Sequence, residues 1–244
     1  MSEQDREQAP QGREPVFLLP GAVTVLAGLL VAIHLASTLV LNPEGQSELV
    51  QWFAFQPLRL VYGGEDPSLL LPLLWTPFTH ALLHAGWDHL LLNVAWLVIF
   101  STPVTRRYGA GAMVAIFLVS AAAGAAFFAL STLYAGVFLI GASGGVAGLT
   151  GAATRFIFQP PVVARHPETG ETVMLGRRLA TLKETFQNPR SRFFALIWLA
   201  LNAAVPLLPM LTGSDLAIAW QAHLGGFLAG LLLVGLFERR DRQP

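Results

Sequence analysis

The sequence has no cysteine, which excludes disulfides, thiol catalysis and cysteine-ligated zinc or iron–sulfur centres. Charge is scarce too. Only 12% of the 244 residues are Asp, Glu, Lys or Arg, about half the roughly 25% typical of soluble domains. Fifteen basic residues cancel fifteen acidic ones, so no bulk field attracts a nucleic acid. No internal repeat appears, against the usual pattern of a small transporter. His80, His84 and His89 are four and five positions apart, but only Asp88 could join them as a fourth metal ligand. Neither a metal nor any other cofactor is expected. What remains is apolar: 54% of residues are hydrophobic, which makes this an all-α polytopic membrane protein. Its length suits one bundle of about six spans.

Residues 1–16 read as a polar tail, 17–237 as the six-span domain and 238–244 as a second tail. The expected spans are 17–41, the run through 94–100, 111–133, the stretch from Ser143 to before Gln159, 193–211 and 216–237. Between the first two, Trp52, Phe53, Phe55 and Tyr62 suit a membrane interface. Residues 159–192 form a long, basic loop in which no site is visible. With six spans, fourteen of the fifteen basic residues share one side and only Arg59 lies opposite. The positive-inside rule then puts both termini in the cytoplasm, with spans two, four and six beginning on the outer side.

Those three beginnings carry the polar residues. His89 and Asn93 are four apart and share a helix face at the start of span two. Ser143 opens span four within Gly141-Ala142-Ser143-Gly144-Gly145-Val146-Ala147-Gly148, a Gly-x-Ser-x-Gly pattern that fits a nucleophile on a tight turn feeding a helix. His223 lies about seven residues into span six. From Ser143 to the far loop is about 16 residues, or about 24 Å, against a hydrocarbon core of about 30 Å. The serine therefore starts its helix below the outer surface. Gly144-x-x-x-Gly148 and Gly226-x-x-x-Gly230 are smooth faces that can pack backbone to backbone, bringing serine and imidazole together. A serine hydroxyl needs such a base. Asn93, His89 and the Ser143 N–H are candidate donors to a developing oxyanion. Asp215 is about 12 Å along the helix from His223 and Asp88 faces elsewhere, so the pattern is a Ser–His dyad.

These residues resemble the rhomboid family of intramembrane serine proteases, in its bacterial-type, six-span form. The likeness rests on His84 and His89-x-x-x-Asn93, on Gly141-Ala142-Ser143-Gly144, and on Ala222-His223-x-Gly225-Gly226-x-x-x-Gly230. It implies a six-helix rhomboid bundle in the cell membrane, with Ser143 as nucleophile and His223 as base. His89, Asn93 and Gly141 would form the oxyanion and substrate-binding region, and His84 and His80 would brace the first loop. The implied partners are transmembrane protein substrates, cut near the outer end of their membrane segment, and the bilayer itself. Oligomeric state is not implied. Two positions depart from the family pattern. Ala147 stands where an aromatic ring commonly stacks on the histidine, and Thr105 stands where a glutamate is expected. The alternative reading is a catalytically inactive relative that binds membrane clients.

Overall fold

The computed structural model describes residues 19–165, 170–204 and 219–238. The two tails, apart from Glu238, lie outside the described residues, as do Pro206, Pro209, Asp215 and His166. Helix α1 (Gly21–Leu39) buries only one edge, through Val23, Leu30 and His34, so it sits at the margin of the bundle. The connector after it is folded. It holds α2 (Pro43–Phe53), α3 (Leu58–Tyr62), a 3-10 segment (Pro67–Leu74) and α4 (Thr76–Thr79). Trp75 Nε1 donates to Trp52 O at 2.7 Å and Thr79 Oγ1 to Phe53 O at 2.9 Å. Phe55 pairs with Leu139 as an isolated antiparallel bridge, which fastens this layer to the segment leading into the serine.

Helix α5 (Trp87–Tyr108) continues past the expected end near Phe100, straight through Pro103. A proline removes one ladder hydrogen bond. Hydroxyls around it bond carbonyls of the same helix, Ser101 to Leu97 O, Thr102 to Val98 O and Thr105 to Ser101 O, none of which is the Ile99 carbonyl that the Pro103 N–H would have served. Arg106 and Arg107 thus lie in the last turn of a helix and not in a loop. Helix α6 (Ala110–Thr132) follows, then α7 (Ser143–Thr154), whose residues from Gly144 to Thr154 are all buried. At 12 residues α7 is about 18 Å long, shorter than expected, and it forms the centre of the bundle.

The 159–192 loop contains a hairpin that the sequence reading did not foresee. Strand β1 (Pro161–Arg165) pairs antiparallel with β2 (Thr172–Arg177). Next come α8 (Leu182–Gln187) and α9 (Pro189–Ala204). Thr181 and Glu184 form a reciprocal capping box on α8. Arg178 and the Thr181 donors hold the Glu184 carboxyl down at about 2. That contact is complete above the ordinary carboxylate range and is lost as pH falls toward 2. Helix α10 (Trp220–Leu233) closes the bundle and runs into a 3-10 turn ending at Phe237.

Among the described residues, α1, α5, α6 and the 220–237 stretch are long and apolar enough to cross a membrane. Helices α7 and α9 also pack in the bundle, α7 over 12 residues and α9 over the 16 described ones. At the end away from Ser143, Arg107 pairs with Glu238 at 2.7 Å and Tyr108 donates to the same carboxylate at 2.8 Å. Arg155 donates to the carbonyls of Ala180 and Leu231. Thr105 bonds its own helix, so the carboxylate at this end comes from Glu238 in place of the glutamate expected at 105.

Candidate active site

Glycine decides how α7 meets α10. A Cβ on Gly226 would overlap the Gly144 carbonyl oxygen and lie 3.2 Å from its Cα. A Cβ on Gly230 would overlap the Gly148 oxygen and lie 2.6 Å from that Cα. The two smooth faces read from the sequence therefore touch backbone to backbone, in register. Ser143 directly precedes Gly144, and His223 lies about one turn before Gly226 on the facing helix.

The turn into α7 is equally constrained. Gly141 has φ +118°, and a Cβ there would lie 2.7 Å from His89 Cε1, so both backbone and space require glycine. Gly141 N donates to His80 O at 2.9 Å, and Ala142 N reaches His84 Nε2 at a long 3.4 Å. His80 is fully buried, with Nε2 3.3 Å from Ala121 O on α6. The His84 and His89 rings meet edge to face at 5.1 Å. These three histidines hold the backbone that presents Ser143.

A cavity of about 190 Å³ opens beside Ser143, lined among others by Asn93, Ala147, Trp198, Asn202 and His223. Three of the expected site residues, from α5, α7 and α10, thus share one cavity. His89 and Gly141 are not among the lining residues; they pack against each other in the turn that leads into Ser143. Asn93 donates one amide hydrogen to His89 O at 2.8 Å, leaving its second N–H for the cavity. No hydrogen bond joins Ser143 to His223 among the described residues. The imidazole is engaged on its other nitrogen, with Nδ1 2.6 Å from Asn202 Oδ1.

Asn202 escaped the sequence reading. The available signal was one amide in the otherwise apolar stretch Ala195–Val205 of span five, a placement that is costly in lipid and usually has a purpose. Trp198, one turn earlier, stacks on Phe227 at 4.4 Å. His34 on α1 also went unremarked; it is buried and packs edge-on against Trp87 at 4.8 Å.

A family model described as the Rhomboid domain matches residues 72–240. Over 206 residues, 84% of this chain, the sequence is 28% identical to the Rhomboid protease GlpG of Pectobacterium atrosepticum. The alignment spans 59% of that relative's length.

Proposed function

The chain belongs to the rhomboid family and is an integral membrane protein, and on that premise we propose that it is an intramembrane serine endopeptidase acting through Ser143 and His223. The observation that carries this reading is the shared cavity: a serine, an imidazole and an amide from three separate helices line one opening. His223 Nε2 takes the Ser143 hydroxyl proton as Oγ bonds the scissile carbonyl carbon. The carbonyl oxygen becomes an oxyanion, met by the free N–H of Asn93 and the backbone N–H of Ser143. Collapse breaks the C–N bond, and the imidazolium gives its proton to the leaving amine. A water then repeats the sequence to release the acyl group. No cofactor is needed. Gly141 shapes the approach of the chain to Ser143, and His89 packs against Gly141.

The distribution of basic residues supports a topology with both termini on the cytoplasmic side of a bacterial-type cell membrane. Substrates are membrane-anchored proteins cut near the outer end of their transmembrane segment, where the cavity lies. The test is labelling of purified protein in liposomes with a serine-directed fluorophosphonate. Wild type should label, and His223→Ala should not. A folded wild type that fails to label would sink the reading and favour the inactive, client-binding alternative.

Asn93→Ala should lower kcat by about 10- to 1000-fold while the protein stays folded, because Asn93 makes its one bond within its own helix. Steady-state cleavage of a single-span reporter checks this. An unchanged kcat would remove Asn93 from the oxyanion site.

A further inference from the structure

A general base works only if the correct ring nitrogen carries the lone pair. In hydrolases with a triad, a carboxylate accepting the Nδ1–H enforces that choice. No carboxylate is near His223 among the described residues. Its Nδ1 instead lies 2.6 Å from Asn202 Oδ1. The amide's orientation is set independently, because Asn202 Nδ2 donates to Trp198 O at 2.8 Å, one turn back on α9. With the NH2 group committed there, the oxygen is the atom turned toward the imidazole. An oxygen can only accept, so the Nδ1 proton is held and the lone pair is left on Nε2. An asparagine presenting its NH2 would enforce the opposite tautomer.

The same two helices meet again one turn further along. Trp198 and Asn202 are four apart on α9, and Phe227 and His223 are four apart on α10. The ring stack and the hydrogen bond are therefore two rungs between one pair of faces. On α7, Ala147 is buried in one cluster with Phe227, Leu231 and Ala195, against which Trp198 packs. Its methyl cannot hold a ring, so α7 contributes no ring contact to the imidazole.

We propose that Asn202 is the positioning residue of His223: its side-chain oxygen accepts the Nδ1–H and fixes both the tautomer and the ring plane from α9. This rests on the endopeptidase reading only for its catalytic consequence. The hydrogen bond itself is observable without turnover.

The experiment uses the full chain in liposomes, as wild type, Asn202→Leu and Asn202→Asp, and Asn202→Leu combined with Ala147→Tyr. Two readouts are taken: kcat and KM on a single-span reporter, and the His223 tautomer from long-range proton–nitrogen NMR of histidine-labelled protein. Wild type should show the Nδ1–H form. Asn202→Leu should lose it and drop kcat by about 10- to 100-fold with KM changed less than about twofold. Asn202→Asp retains an acceptor and should retain the tautomer and most of the kcat. Ala147→Tyr should restore part of the loss when combined with Asn202→Leu.

An Nδ1–H form absent from wild type would overturn the proposal. So would an Asn202→Leu enzyme with normal kcat. If Asn202→Leu does not fold, Asn202→Asp decides alone, and a folded Asp variant lacking the Nδ1–H form overturns the proposal. A wild type with the Nδ1–H form but no cleavage and no probe labelling would sink the endopeptidase reading, while the hydrogen-bond assignment would stand.

Discussion

Ser143→Ala is expected to reduce cleavage of a membrane-anchored reporter by on the order of 10⁴- to 10⁶-fold, with folding intact. The size of the effect follows from the role. Removing a nucleophile leaves only whatever rate the oxyanion donors and substrate binding supply. Folding should survive because the hydroxyl does no structural work. It forms no hydrogen bond among the described residues, and the turn into α7 is held by Gly141, Ala142 and the histidines around them. The serine itself is only half-buried, whereas the eleven residues after it in α7 are buried. Turnover of purified variants in liposomes, beside a thermal unfolding curve, measures both halves of the expectation. Residual activity above about 1% of wild type would mean that another group attacks the substrate. A large fall in unfolding temperature would mean that the hydroxyl belongs to the packing after all.

Some of this site was legible in the sequence because its constraints are local or one-sided. Small residues at spacing four announce a close backbone approach whatever the partner, and Gly144, Gly148, Gly226 and Gly230 are where α7 and α10 meet. An expectation of alternating spans groups Asn93, Ser143 and His223 from the sequence alone, and the three residues line one cavity. Other features depend on choices that residue types do not express. An asparagine in a helix can bond its own preceding turn or reach across. Asn93 bonds its own turn, and Asn202 does both. Only the rotation of α9 about its axis separates these cases. Pro103 signals the end of a helix, but α5 continues through it to Tyr108, with Val104 and Thr105 buried in the turn beyond. The β1–β2 hairpin is short, and its outward face exposes Val163 and Met174, so it lacks the clean alternation that marks a half-buried strand. The pairing of Arg107 with Glu238 joins residues 131 positions apart, beyond the reach of any local pattern.

The second large effect concerns packing. Gly230→Ala is expected to lower the unfolding temperature steeply or to prevent folding, although it adds one methyl and improves intrinsic helix propensity. That methyl would overlap the Gly148 carbonyl oxygen and lie 2.6 Å from the Gly148 Cα. Both are backbone atoms of the central helix, so no rotamer change relieves the clash and the two helices must part. Overfilling a packed interior costs about 1–3 kcal/mol even where side chains can yield; here nothing can yield. Gly28→Ala supplies the control. It lies on the exposed part of α1, a Cβ there meets nothing within 4 Å, and it should be neutral or stabilising by up to about 1 kcal/mol. Size-exclusion profiles and thermal unfolding in one detergent measure both variants. Where Gly230→Ala protein can be recovered, the loss of activity should exceed the loss of folded protein. Helices forced apart at Gly148 and Gly230 also carry Ser143 and His223 apart, and the proton transfer proposed between them would tolerate little extra distance. A Gly230→Ala protein with wild-type stability and turnover would show that the α7–α10 contact does not hold the cavity that Ser143 and His223 share.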